Sequence, residues 1–366
     1  LNEIVSPLLA WFSENARVLP WRSDPTPYHV WVSEIMLQQT RVEAVKPFYA
    51  RFMEALPEVR ALAECPEDQL LKLWEGLGYY NRVRNMQKAA QKVMEQYHGV
   101  IPADYEELLT LPGIGHYTAG AVASIAYGQA VPAVDGNVLR VISRICENEE
   151  DIMKQSVRTY FEEQIGAVIP KDSPGAFNQS LMELGATVCV PNGAPLCMVC
   201  PVRPYCIACE KGRQSELPVK AAKKERRVEQ KTVLVIRDSE CAAIHRRPKK
   251  GLLAGLYELP NYQGYLEPDE VLELLKAEGL KPIRIQRLED ARHIFSHVEW
   301  QMKGYLVLVE DWETGTDKSE MRTKSDFLFV EPGRTEQEYP VPAAFAAYMK
   351  YLSVRLGQEK YNIRDM

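Results

Sequence analysis

The sequence predicts two domains of different class. One is all-α, over residues 1 to about 216; the other is α+β, over 231–366; a basic linker at 217–230 joins them. Three observations carry this. Apolar residues recur at spacings of three and four through the first half, as in Leu70, Leu71, Trp74 and Leu77. Pro57, Gly76, Gly78, Gly99, Pro102, Pro112, Gly115, Pro132 and Pro170 break that pattern into separate helices. The run holding Lys220, Lys223, Lys224, Arg226 and Arg227 then interrupts the apolar rhythm, with Pro218 and few large apolar residues, as a solvated linker does. After it come TVLVI, GYLVLV and DFLFV, short β-branched or aromatic runs that read as strands. PDEVLELLKAEG, residues 268–279, reads as an amphipathic helix with Gly279 just past its end.

A length of 366 residues suits two domains, and 46% hydrophobic with 26% charged residues is ordinary for a soluble globular protein. No apolar run is long enough to span a bilayer, so no membrane association is expected. The net charge of −6 does not advertise a nucleic-acid binder, yet phosphate contact depends on local patches rather than the total. The opening LNEIVSPLLAWF carries no basic region followed by a small-residue cleavage site, so a reducing, cytoplasmic setting is expected.

Along the first domain, Glu34 is the first residue out of place. It lies in VWVSEIMLQQT, beside Trp31, Ile35, Met36 and Leu37. Either it faces solvent on an amphipathic helix, or it sits among apolar side chains, where its neutral, proton-holding form is favoured. Next comes LPGIGHYTAGAVASIAYG, from Leu111 to Gly128, after the helical stretch ADYEELLTL. Gly113 and Gly115 permit a tight turn between two helices, the second starting near Tyr117. Such a turn points backbone N–H groups outward and suits a phosphate; an ordinary helix corner is the plainer alternative. Asp135, in VPAVDGNVLRVISRIC, precedes a helix whose apolar side holds Val138, Leu139, Val141, Ile142 and Ile145. It is placed as an N-cap whose anion the helix dipole stabilises. An acid that keeps its proton and a fixed anion are together what cleavage of a glycosidic bond requires.

Cys189, Cys197, Cys200 and Cys206 follow, spaced C-x7-C-x2-C-x5-C. The spacing suits one thiolate per iron of a cubane cluster. Structural zinc is the alternative, encouraged by Cys209, which completes a second C-x2-C pair, although only five residues separate the pairs.

Hairpin, downstream aspartate and cysteine cluster together resemble the endonuclease III, helix-hairpin-helix superfamily over residues 1–216. PWR at 20–22, SEIMLQQTRV at 33–42, GLGYYNRVRN at 76–85 and VDGNV at 134–138 narrow the resemblance to MutY-type adenine DNA glycosylases. It implies a helix-hairpin-helix over about 104–127, a 4Fe–4S cluster held by the loop 189–206, and a bacterial-type, nucleoid-associated monomer. The substrate implied is duplex DNA with adenine opposite 8-oxoguanine or guanine. Glu34 would protonate the flipped adenine at N7, and Asp135 would stabilise the oxocarbenium-like sugar by charge or by a transient bond at C1′. Tyr117 and Asn137 would position Asp135 and the sugar; Trp21, Arg22, Leu37 and Gln179 would line the base pocket. Gln39 and Tyr79 would probe the stack beside the lesion, and Thr40, Gly113, Gly115, His116 and Thr118 would meet DNA. Bifunctional relatives carry a lysine where this chain has Tyr117, so no Schiff-base step is expected.

Two departures stand out. The first cysteine spacer has seven residues rather than six, and VPNGAPL lacks the Arg or Lys often found there; Arg203 is a substitute, and Cys209 is read as a bystander. Residues 231–366 resemble the family's Nudix-like domain, but Lys276 and Ala277 stand where a Nudix hydrolase needs paired glutamates for metal. The fold is therefore expected without the hydrolysis, ruling against a pyrophosphohydrolase. Phe295, Ser296 and His297 match the family's lesion-contacting loop, and with Glu34 and Asp135 both in place a non-catalytic DNA-binding protein is disfavoured.

Overall fold

The computed structural model describes residues 1–221, 225–311, 322–324 (backbone only) and 326–353. In chain order the helices of the first half are α1 (Val5–Asn15), α2 (Pro20–Ser23), α3 (Pro27–Leu37), α4 (Val42–Ala55), α5 (Val59–Glu64), α6 (Glu67–Leu73) and α7 (Asn81–Tyr97). Then come α8 (Tyr105–Leu109), α9 (His116–Tyr127), α10 (Gly136–Ile145), α11 (Gln155–Gly166), α12 (Pro174–Thr187) and α13 (Ile207–Glu210). The chain divides into two units, Leu1–Cys65 with Asn81–Lys223, and Pro66–Tyr80 with Lys224–Met366.

The helical unit is built as its sequence asks. Asp104 caps α8, its Oδ1 accepting from the N–H groups of Glu106 (2.9 Å) and Glu107 (3.0 Å). The turn to α9 follows, with Gly113 at φ +78° and an added Cβ there only 2.7 Å from Asn85 Cβ. Only glycine satisfies both the left-handed backbone and that approach to α7. Leu8, Val138, Leu139, Ile142, Phe161, Phe177, Leu181 and Leu184 meet in one apolar core, against which Cys189, Cys200 and Cys206 pack.

Residues 66–80 lie within the stretch read as the first domain, yet group with the second unit. Long-range bonds account for it: Lys72 Nζ donates to Tyr339 O (3.1 Å), Val341 N–H to Glu75 Oε1 (2.9 Å), and Arg246 pairs with Asp68 (2.8 Å). No local pattern reports such partners.

The second unit is a mixed sheet with helices. Its strands are β1 (Arg227–Arg237), β2 (Ala242–Arg246), β3 (Tyr257–Glu258), β4 (Asn261–Gln263), β5 (Pro282–Arg287), β6 (Ala291–Ile294), β7 (Val298–Val309), β8 (Arg322–Lys324) and β9 (Phe327–Val330). The helix α14 (Pro268–Ala277) precedes β5, and α15 (Pro332–Glu338) and α16 (Ala346–Met349) follow β9. The order is β5-β7-β1-β2-β9-β8, with β3 on β2, β4 on β1 and β6 on β7. β1 and β7 run parallel, Arg227 opposite Val298 through Arg237 opposite Leu308; that pairing starts the strand inside the stretch read as linker. Alternation sends Val233 and Val235 to one apolar core and Leu234 and Ile236 to the other, where Val271 and Leu275 of α14 pack. Among the described residues no helix is long and apolar enough to cross a membrane.

Candidate active site

α3 starts at a Thr26 cap, whose hydroxyl accepts from His29 N–H (3.2 Å), and every residue from Tyr28 to Met36 except His29 is buried. A helix apolar all round belongs in a core. Glu34 is therefore only 6% exposed, and the solvent-facing alternative falls. Burial raises its carboxyl from the ordinary 4.5 to about 7, against the pull of a hydrogen bond from Tyr117; the anion of Asp135 adds to the rise and Arg22 opposes it. The Tyr117 hydroxyl, from the first turn of α9, donates to Glu34 Oε2. Tyr117 is itself pushed well above its usual range, chiefly by burial, so it stays a neutral donor.

Asp135 caps α10. Its Oδ1 accepts from Val138 N–H (2.7 Å) and its Oδ2 from Asn137 Nδ2 (2.8 Å). Burial raises this carboxyl, while those hydrogen bonds and Arg140 favour the charged form. Arg140 Nη2 donates to Asn137 Oδ1 (2.8 Å) and Gly185 O (2.8 Å), and its Nε to Cys189 O (2.8 Å). Gly185 is needed there: a Cβ would stand 2.7 Å from Asn137 Cβ, forcing α12 off the start of α10.

These groups open on one cleft of about 1460 Å³, lined by Glu34, Tyr117, Asp135 and Asn137, and also by Trp21, Arg22, Leu37, Gln39, Thr40 and Gln179. That is ample room for a ligand the size of a nucleoside. Trp21 is buried edge-on against Tyr49 (5.3 Å). Arg22 Nε donates to Gln179 Oε1 (3.0 Å). Gln39 sits at φ +60°, a left-handed conformation costing a non-glycine residue about 1–3 kcal/mol, as strained functional residues often do. Arg82 Nη1 holds the end of α3 by donating to the carbonyls of Ile35 (2.8 Å), Met36 (3.2 Å) and Gln38 (2.6 Å).

Other expected residues lie elsewhere. At the hairpin, Gly113, Gly115 and His116 stand at the start of α9, and Tyr105 Oη bonds His116 Nδ1 (2.8 Å). Thr118 is only 2% exposed, so it offers a ligand no side chain; its first-turn N–H is what remains. Tyr79, at φ +48°, belongs to the second unit, and its hydroxyl bonds Ser296 Oγ (2.6 Å). Phe295 packs edge-on against Trp300 (4.9 Å), and His297 O accepts from Arg227 N–H (3.1 Å). Lys276 and Ala277 are exposed at the end of α14. The sequence reading missed Glu183 and Arg17, which also line the cleft and are joined by an ion pair (2.6 Å).

Cys189, Cys197, Cys200 and Cys206 border a single cavity in the helical unit, and Cys209, read as a bystander, borders it too, within hydrogen-bonding reach of Cys197. All five are free cysteines, with no disulfide among them. Burial and neighbouring cysteines push Cys200 up to about 12 and Cys206 to about 11. Sulfur donors gathered around one cavity are a set that suits either an iron–sulfur cluster or structural zinc, and among the described residues no three His, Cys, Asp or Glu side chains close on a single ion.

Residues 32–166 match the HhH-GPD superfamily of base excision DNA repair proteins, and residues 232–351 match the NUDIX domain. The adenine DNA glycosylase of Mus musculus is 35% identical over 85% of this chain and 72% of its own length. That of Homo sapiens is 33% identical over 96% and 74%. Among solved structures, a thermostable thymine-DNA glycosylase superposes with a TM-score of 0.51 at 28% identity, covering 57% of this chain and 97% of its own.

Proposed function

The chain belongs to the adenine DNA glycosylases of the HhH-GPD superfamily, and from that kinship we propose that it excises adenine mispaired with 8-oxoguanine or guanine in duplex DNA. The observation carrying this reading is the meeting of Glu34, Tyr117 and Asp135 on one cleft large enough to admit a nucleoside.

The chemistry follows from the two environments. A carboxyl held near 7 still carries a proton at neutral pH in a large share of molecules. Glu34 delivers that proton to N7 of the flipped adenine. The C1′–N9 bond then breaks, and its electron pair leaves with the base. The Asp135 carboxylate, fixed by Val138 N–H and Asn137, faces the positive charge that develops on the sugar. Water adds at C1′, and its proton returns to Glu34, which restores the acid. Tyr117 offers no amine, so no imine forms and strand nicking is not part of the cycle.

Cys189, Cys197, Cys200 and Cys206 would hold a 4Fe–4S cluster, with Cys209 beside Cys197. Such a cluster would tie residues 189–206 to the end of α10, where Arg144 Nη1 already donates to Cys189 Sγ (3.2 Å). In the second unit the Phe295–Ser296–His297 segment serves to read the lesion. Exposed Lys276 and Ala277 in place of paired glutamates leave it no metal-dependent hydrolysis.

The test is incubation of the protein with a duplex holding a single adenine opposite 8-oxoguanine, followed by alkaline cleavage. Strand scission at the adenine only after alkali is expected. An intact strand after alkali overturns the reading.

A further inference from the structure

Glu183 sits one turn beyond Gln179 on α12, and it is 1% exposed. Both of its oxygens are fully engaged. Oε1 accepts from the backbone N–H (3.0 Å) and Nε (2.6 Å) of Arg17. Oε2 accepts from Nη2 of Arg17 (3.0 Å) and Nη2 of Arg22 (2.9 Å). Arg22 also donates from Nε to Gln179 Oε1 (3.0 Å) and from Nη1 to Arg17 O (3.0 Å), and its guanidinium lies 5.3 Å from the Phe12 ring centre. One buried anion is thus shared by two guanidiniums on the wall of the cleft that holds Glu34.

Stability alone is a weak reason for such a group, because replacing a buried ion pair by apolar residues is often neutral or favourable. We propose that Glu183 is a positioning residue for glycosidic cleavage: it fixes and screens Arg22, so that this cation can address the flipped base without drawing Glu34 into its anionic form. The inference rests on the reading of Glu34 as the proton donor.

The groups facing Glu34 are Tyr117 from α9, Asp135 at the start of α10 and Arg22 from α2; Arg17, Arg41, Glu43 and Arg158 border the same cleft. Of the three, Arg22 is the cation, and it favours loss of the Glu34 proton. Removing the negative charge of Glu183 would leave that pull unscreened. It would also free Arg22 to swing toward the nearest anion in the cleft.

The experiment measures the single-turnover rate of adenine release against pH in the full-length protein. In Glu183→Gln the alkaline limb should move about one unit toward acid, giving roughly a tenfold loss at pH 8 with rates near wild type at pH 5.5. In Glu183→Gln/Arg22→Met the limb should return to its wild-type position, whatever happens to substrate affinity. Glu183→Asp keeps the charge but draws it back, so its limb should stay in place while the plateau rate falls; this variant serves if Glu183→Gln does not fold. A pH-independent loss in Glu183→Gln, a limb still shifted in the double variant, or a displaced limb in Glu183→Asp would each overturn the inference. A wild type without an alkaline limb, or full activity in Glu34→Gln, would instead remove the proton-donor reading beneath it.

Discussion

Glu34→Gln should lower activity and raise stability, and the second effect should depend on pH. The folded state lifts the Glu34 carboxyl from 4.5 to about 7, so between those values the native protein binds a proton that the unfolded chain releases. The resulting stabilisation is fully present below 4.5 and is lost as pH rises through about 7. Above that, the wild type carries a buried anion, and the shift corresponds to about 3 kcal/mol. Glutamine has nearly the same shape and no charge to bury. Near pH 4 the variant should match wild type; near pH 8.5 it should be about 3 kcal/mol more stable, or roughly 6–12 °C in melting temperature for a unit of about 200 residues. Thermal unfolding followed by circular dichroism across that pH range measures the difference. Adenine release should fall at least about a hundredfold, the usual contribution of a general acid, while binding to the mispair persists. A stability difference that stays constant from pH 4 to 8.5 would refute the claim that burial sets the protonation of Glu34.

Borohydride should trap no covalent complex between wild type and DNA, since Tyr117 replaces the amine; a strong adduct on a denaturing gel would contradict this. Tyr79→Phe and Ser296→Ala should each weaken preference for 8-oxoguanine over guanine. Because the two hydroxyls share one hydrogen bond, the double variant should be little worse than either single, as a double-mutant cycle on binding would register. The purified protein should be yellow-brown with four irons, and Cys197→Ala should lower that count; colourless protein binding one zinc would remove the cluster. Gly113→Ala should destabilise the helical unit by roughly 1–3 kcal/mol and weaken DNA binding, because a left-handed residue would press a methyl on Asn85; an unchanged melt would show that the turn relaxes freely.

Most of the element pattern was legible in the sequence. The β-branched and aromatic runs TVLVI and GYLVLV mark strands, and LPGIG and VDGNV mark a hairpin and a cap, because each depends on groups a few residues apart. The strands β2 to β6 and β8 were not, since runs of two to six residues carry too little pattern of their own. Nor was the place of residues 66–80, which rests on partners such as Tyr339 and Val341.

The candidate site divides the same way. Sequence alone determined which groups are available for the proposed chemistry: a carboxyl in an apolar run, a capping aspartate, a tyrosine where an amine could have stood, and clustered cysteines. Tertiary structure decided what those groups do. Glu34 meets Tyr117 across 83 residues of chain, and burial by surrounding helices sets its proton affinity. Glu183 looked like any polar residue in MELGA until packing set it between Arg17, 166 residues away, and Arg22, 161 away. The physical reason is that burial and charge pairing belong to the packed assembly of elements, and no window of neighbouring residues contains them.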